Sequence, residues 1–291
     1  MDPDPRKLFI RLPFLTAIVS FAFFSCTQTT TVLNPLNDSA FTKKTDSIKQ
    51  AKINSFIDPD TAGKRTLYLT FDDGPNNGTP TVINILKEEQ VPATFFLIGM
   101  HEKEMPIAKT VMPILRAMPN VELCNHSYTH AYRNHFEKFY ADLPGSLEDF
   151  KRCQDTVGFT NPIARTPGNN IWRTPNYNQT TFARYKPDVD NIRDSGFVFL
   201  GWDAEWRFRS LKLIQNVDQM EKEINTMYEK NENKYHNHCV LLMHDLTFLD
   251  AADSTSLHEL IKRFKANPLY RFDIATNHPL VQPNPIQLAK K

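Results

Sequence analysis

The sequence predicts an α/β protein built on a mostly parallel sheet. Two observations carry that reading. Seven short runs rich in β-branched, aromatic and aliphatic residues follow one another from residue 66 onward, and stretches of helical apolar periodicity fall between most of them. Strands that alternate with helices imply parallel pairing, because a parallel crossover needs about a helix of chain.

The strand-like runs are 66–71, 93–98, 121–124, 163–165, 197–201, 239–243 and 270–274. Between them, Thr79-Pro80 opens a helix that carries Val82, Ile85 and Leu86, and proline is favourable at the first helical position. Ser146 with Asp149 reads as a capping box ahead of Phe150 and Val157. Leu257, Leu260, Ile261 and Phe264 form an i, i+3, i+4, i+7 stripe, which is a core face. No internal repeat is evident.

Length and composition bound the function. The chain has 291 residues, 41% of them hydrophobic, enough for one large α/β domain or two small ones. Its formal net charge of +1 is already carried by residues 1–25, where Arg6, Lys7 and Arg11 oppose Asp2 and Asp4. The remaining chain is close to neutral, so it lacks the basic field that nucleic acid requires. No obligate protein partner is evident.

The N-terminus reads as a targeting segment. Three basic residues precede the apolar run 12–24, and Cys26 follows Ser25. Thirteen helical residues span about 20 Å, short of a bilayer core of about 30 Å, so the run reads as a signal peptide and not a membrane span. Ser25-Cys26 resembles a bacterial lipoprotein cleavage site, which makes Cys26 the lipidated first residue; an ordinary secretory cut nearby is the other reading. Residues 27–60, rich in Thr, Asn, Ser, Asp and Lys, read as a tether. The expected organisation is a signal peptide over 1–25, a tether over 26–63, a catalytic domain over 64–283 and a tail over 284–291. Cys124, Cys153 and Cys239 remain; three cannot all pair, and Cys124 and Cys239 lie in apolar runs that suit buried thiols.

Chemistry concentrates in a few places. Asp72 and Asp73 end the run 66–71 and precede Gly74-Pro75, a turn signal. His126 and His130 follow at i, i+4 spacing, which on a helical turn would put both on one face. Together they offer a metal one carboxylate and two imidazoles, with a second carboxylate to spare. Three protein ligands with an open position suit a catalytic zinc site. The apolar run ending Leu242-Met243-His244-Asp245 brings a third imidazole to a strand end. His236 and His238 could hold a second ion, but an exposed loop is the simpler reading; His101, His135, His258 and His278 read as structural or solvated.

Residues 64–273 resemble the polysaccharide deacetylase family (carbohydrate esterase family 4, the NodB-homology group). Five motifs in the family's order carry the resemblance: Thr70-Phe71-Asp72-Asp73-Gly74-Pro75, His126-Ser127-Tyr128-Thr129-His130, Arg165-Thr166-Pro167-Gly168, Trp202-Asp203-Ala204-Glu205-Trp206 and Leu242-Met243-His244. The resemblance implies a distorted (β/α) barrel with about seven parallel strands. It implies one divalent metal ion, zinc first and cobalt, manganese or nickel as alternatives, held by Asp73, His126 and His130. It makes Asp72 the general base, His244 the general acid and Arg165 the partner of the base. Glu205 and Asp203 are rival supports for His244. Where the family usually has an aromatic after Pro167 this chain has Gly168, and Trp172 is a candidate to fill the gap. Trp202 and Trp206 are candidates to wall the acetyl pocket or stack on sugar rings; core aromatics are the rival reading.

The implied function is removal of acetyl groups from an N-acetylated polysaccharide by a membrane-tethered, metal-dependent hydrolase of a bacterial envelope. Peptidoglycan, poly-N-acetylglucosamine, chitin-type chains and O-acetylated xylan are the open substrates. Two rivals remain: a hydrolase of non-sugar amides on the same fold, and a carbohydrate-binding lipoprotein without activity.

Overall fold

The structure, a computed structural model, describes residues 63–282. The signal segment, Cys26, nearly all of the tether and the tail from residue 284 lie outside the described residues. Among the described residues, no helix is long and apolar enough to cross a membrane.

All seven expected runs form strands. In chain order they are β1 (Arg65–Gly74), β2 (Ala93–Leu97), β3 (Val121–Asn125), β4 (Ile163–Ala164), β7 (Val198–Phe199), β11 (His238–His244) and β12 (Tyr270–Phe272). β7, β4, β3, β2, β1 and β11 lie side by side in that order, all parallel, and β12 pairs in parallel with the start of β1. The sheet curls into an incomplete barrel. Its edges are extended by short strands that the sequence does not announce: β5 (Ile171–Arg173) and β6 (Asn178–Thr180), an antiparallel pair beside β7, and β8 (Ala204–Glu205), parallel to β11. A separate hairpin joins β9 (Phe208–Arg209) to β10 (Lys212–Leu213). Segments of two or three residues are too short to display a period of two.

The longer helices are α1 (Thr79–Glu89), α2 (Ala108–Ala117), α3 (Leu143–Val157), α4 (Lys186–Asp194), α5 (Val217–Lys230) and α6 (Ala251–Ala266). The α6 stripe is core, with Leu257, Leu260 and Ile261 fully buried and Phe264 nearly so. The start of α3 differs from expectation. Asp142 caps it by accepting from Gly145 N at 3.1 Å, and Pro144 follows in the first turn. Ser146 and Asp149 thus lie inside the helix, where their side chains serve other partners.

Alternation along β1 builds both faces of the sheet. Leu67, Leu69 and Phe71 join the larger core against the helices, while Tyr68 joins an interior cluster with Phe96, Cys124, Trp172 and Val240. Both faces are covered, as a parallel sheet requires. The same alternation points Thr70 and Asp72 inward with Tyr68. The three described cysteines are buried and free of disulfides.

Candidate metal centre and active site

Adjacent residues of a strand face opposite sides, so two consecutive aspartates should not share a site. Here the backbone breaks the rule. The β1–β2 register shifts between Asp72 and Gly74, and Asp73 has φ 71°, in the left-handed region. Aspartate tolerates that region better than most residues. Asp72 faces inward by alternation; the bulge re-aims Asp73 toward the strand ends.

Asp72 is 3% exposed and Arg165 is fully buried. Arg165 Nη1 donates to Asp72 Oδ1 and to Thr70 Oγ1, both at 2.8 Å. Its other nitrogens donate to the carbonyls of Leu200 and Gly201, so the guanidinium is held on three sides.

His126 and His130 do not sit on a right-handed helical turn. Residues 126–129 form an irregular loop after β3, and His130 opens a left-handed turn in which residues 130–134 have φ between 51° and 70°. Left-handed turns cost about 1–2 kcal/mol per residue for side chains with a Cβ. Local bonds hold this one: Thr129 Oγ1 accepts from Tyr132 N at 2.9 Å, Ser127 Oγ accepts from Ala131 N at 3.2 Å, and Tyr132 OH donates to Asp142 at 3.0 Å. Asp149 fastens the loop between the two imidazoles, accepting from Tyr128 N at 2.8 Å, Thr129 N at 3.0 Å and Thr129 Oγ1 at 2.8 Å.

The result is a three-residue group of Asp73, His126 and His130 whose ligand atoms all lie within 4.8 Å of one another. Asp73 Oδ1 is buried without a hydrogen-bond partner. It lies 3.4 Å from His126 Nε2 and 3.2 Å from His130 Nε2. His126 Nδ1 donates to the Arg165 carbonyl at 3.0 Å and His130 Nδ1 to Asn134 Oδ1 at 2.5 Å. In neutral rings those bonds leave both Nε2 lone pairs facing the Asp73 oxygen, an arrangement that a cation satisfies. Protonation follows the same proximity. Burial raises the Asp73 carboxyl, but the close imidazoles of His126 and His130 hold it well below the usual carboxylate range. Burial lowers His126, yet Asp72 and Asp73 raise it overall; burial leaves His130 lowered despite Asp73. Asp73 is thus ionised, and the residues fit a divalent ion.

His244 completes the cluster from the end of β11, where it pairs in register with Asp72. Its Nε2 lies 3.9 Å from Asp73 Oδ2 and its ring packs edge-on against Phe208, 4.9 Å between centroids. Its Nδ1 is buried with no hydrogen-bond partner. Neither expected support reaches it. Asp203 spends Oδ1 on Lys234 N at 2.8 Å and Oδ2 on Val240 N at 2.9 Å. Burial pushes its carboxyl up to about 6, against the pull of those two bonds. Glu205 lies on β8 opposite Leu242 and makes no bond to that nitrogen.

A cavity of about 560 Å³ opens at the cluster, bordered by Asp73, His101, His130, Arg133, Phe208 and His244 among others. The expected tryptophans do not line it. Trp172 is fully buried in the barrel interior, and Trp206 is buried with Nε1 donating to the Gln215 carbonyl at 2.8 Å. Trp202 is half-buried, its ring 5.8 Å from the Arg165 guanidinium carbon. The space beside Gly168 is filled by Phe136: a Cβ there would meet its ring at 2.7 Å, and that ring also stands edge-on to His130, 6.0 Å between centroids. His101 is not merely structural; its Nδ1 lies 3.0 Å from the Asp73 carbonyl at the cavity edge. His238 faces the barrel's other end, bonded through Nδ1 to Tyr68 OH at 2.7 Å, and His236 bonds Asn231 on the surface, so they do not form a second site. Glu88, Glu89 and His258 make another close group, but Lys265 already neutralises Glu89 at 3.1 Å.

Comparison with known proteins follows the same lines. Residues 60–167, which include the Asp72–Asp73 turn, His126, His130 and Arg165, match the polysaccharide deacetylase family. Over that segment the match is to the polysaccharide deacetylases. YheN of Bacillus subtilis is 27% identical over 207 residues, 70% of this chain and 64% of that protein. A peptidoglycan-N-acetylglucosamine deacetylase of Bacillus cereus is 27% identical over 192 residues, 63% of this chain and 60% of that protein. The chain therefore spans less than two thirds of these relatives' length. Among solved structures, the catalytic domain of a peptidoglycan N-acetylglucosamine deacetylase from Eubacterium rectale superposes with a TM-score of 0.56 at 21% identity, covering 78% of this chain and all of that one. That likeness is one of fold: the deacetylase's incomplete (β/α) barrel.

Proposed function

We propose that this chain is a member of the polysaccharide deacetylase family and hydrolyses the acetamide of an N-acetylated polysaccharide with one divalent ion, zinc by preference. The observation that carries the reading is the convergence of three groups at one end of the sheet: the Arg165–Asp72 pair, the Asp73–His126–His130 set and His244, with Asp73, His130 and His244 bordering the cavity. Two imidazoles and one carboxylate, with one position left open, suit catalytic zinc. Such an ion, when bound, supplies Lewis acidity toward the substrate carbonyl and makes water more acidic.

The chain's own groups then divide the work. Asp72 Oδ1 is held by Arg165, which leaves Oδ2, 3.7 Å from His126 Nε2, to take a proton from attacking water. Arg165 fixes that carboxylate in orientation. His244 delivers a proton to the departing nitrogen, which an amide needs because the free amide anion is a poor leaving group. Phe136 and Phe208 border His130 and His244 with apolar surface that suits an acetyl methyl. The names of the relatives support an N-acetylglucosamine polymer as substrate, with peptidoglycan foremost for an envelope enzyme. The signal segment and Cys26 support a lipid-anchored place in a bacterial envelope, with the domain of residues 64–283 at the end of a tether.

A second reading, glycan binding without turnover, draws on one observation: the Nδ1 of His244, which has no hydrogen-bond partner among the described residues. One experiment separates the two. The protein is stripped with chelator, reloaded with zinc, and assayed for acetate release from peptidoglycan and from chitin-type oligomers. Zinc-restored release supports the enzyme; tight binding of a glycan with no acetate released by the loaded protein supports the binding module.

A further inference from the structure

We propose that Asp245 is a positioning residue, a buried carboxylate that locks the strand end carrying His244 to the turn carrying Asp72 and Asp73. Its consequence for rate rests on the deacetylase reading; its geometry does not.

Asp245 directly follows β11 and is fully buried. Its Oδ1 accepts from Asn76 Nδ2 and its Oδ2 from Thr79 Oγ1, two donors on the segment that leaves β1. Asn76 is the hub of that segment. Its Nδ2 also reaches the Asp73 carbonyl at 3.3 Å, its Oδ1 accepts from Gly78 N at 2.9 Å, and its backbone N donates to Thr79 Oγ1 at 2.8 Å. Two glycines make room for the contact. A Cβ at Gly74 would stand 2.8 Å from Asp245 Oδ2, and one at Gly78 would run into the Asp245 carbonyl. Four positions after Asp73, namely Gly74, Asn76, Gly78 and Thr79, are therefore shaped around one residue at the end of another strand.

An apolar residue would fill this volume without the cost of burying a carboxylate. The carboxylate adds direction: each oxygen accepts one bond, and both donors belong to the β1 exit. The path from Asp73 through Asn76 and Asp245 to His244 runs behind the gap of 3.9 Å between His244 Nε2 and Asp73 Oδ2. Fixing one end of that path to the other sets where the proton donor stands relative to the metal-facing carboxylate.

The test uses zinc-loaded full-length protein: wild type, Asp245→Asn, Asn76→Ala and the double variant. Each is assayed on an N-acetylated glycan and on an aryl acetate ester, whose leaving group needs no proton. Asp245→Asn is expected to keep its zinc and to lose roughly 10- to 100-fold in kcat on the amide, as a small misplacement does, with KM little changed and the ester spared. The double variant should be no worse than Asp245→Asn, since both single changes cut the same link. Independently of turnover, histidine-labelled protein should show the His244 resonance, assigned with His244→Gln, shifted or broadened in Asp245→Asn while His258 stays in place. Equal losses on amide and ester, or an unmoved His244 resonance, overturn the proposal. If Asp245→Asn does not fold, Thr79→Val removes one donor and should give the same amide-selective loss at smaller size; an unselective loss there overturns it equally. A wild type that releases no acetate from either substrate defeats the deacetylase reading, and the histidine spectrum still decides Asp245.

Discussion

Asp72 and Asp73 are sequence neighbours with different environments, and the backbone between them makes the difference. Asp72 lies on the regular strand face, closed in by Arg165; Asp73 lies past the bulge with both imidazoles in front of it. Substitution should separate them. Asp72→Asn is expected to retain stoichiometric zinc and lose on the order of 10²-fold or more in acetate release, the scale of a general base. Asp73→Asn is expected to lose zinc as well, because two ligands hold the ion poorly. Metal analysis beside the rate assay checks both, and equal zinc loss in the two variants would merge the roles. The tryptophans teach the converse lesson at this scale. Trp206 sits inside a motif and Trp172 a few residues beyond one, yet their size commits them to the core, while Phe136, outside every motif, stands against His130.

Among the elements, the left-handed turn of residues 130–134 departs furthest from what spacing implies. An i, i+4 histidine pair reads as one face of a right-handed helix, which could also offer both rings to one ion. The loop and mirror-image turn bring them onto one oxygen of Asp73 instead. A second consequence is testable by stability. Arg133 has φ 56° and ψ 55°, and its only ion pair among the described residues is an exposed one with Glu104 at 3.6 Å. Exposed pairs contribute little, whereas glycine enters the left-handed region without steric penalty. Arg133→Gly should therefore raise stability, by up to about 1 kcal/mol after the added flexibility of the unfolded chain is subtracted. Chemical denaturation checks the sign. A loss would mean that the turn is set by contacts of the arginine and not by its backbone.

For the molecule as a whole, the parallel sheet was legible because its strands are continuous apolar runs, and the metal group was legible because Asp-Asp and His-x-x-x-His are rare in combination. What held those residues was not. Asp149 looked like a helix cap, and its carboxylate instead bonds a loop twenty residues earlier. Asn134 and Asn76 carry no signal, since their partners are fixed only by the folded backbone. The end of the barrel away from the site offers a pH test. Burial depresses His238 to about 4 and His278 to about 3, where Tyr68 and Trp172 surround them. Above the ordinary histidine pKa of about 6.5 neither costs anything. As pH falls below it, the unfolded chain binds protons that the folded one refuses, so each histidine removes stability progressively down to its own folded value. Three buried carboxyls act in the opposite sense, Asp188 and Asp203 raised to about 6 and Asp245 to about 7, chiefly by burial. His278→Gln removes one opposing group. Relative to wild type, its Tm should hold up better between pH 6 and 4; a parallel decline would place the acid-sensitive groups elsewhere.

The mirror-image turn also ties chelation to conformation. Five successive residues held at about 1–2 kcal/mol each above their right-handed alternative form a loaded spring. His130, the first of them, faces the proposed ion. An ion present at a thousand times its dissociation constant contributes about 4 kcal/mol to the folded form, enough to offset a good part of that stored energy. Zinc would therefore act as a clasp as well as a reagent. Its removal would speed amide hydrogen exchange across residues 130–134 before any other part of the barrel, and refilling the site would have to rewind that coil first.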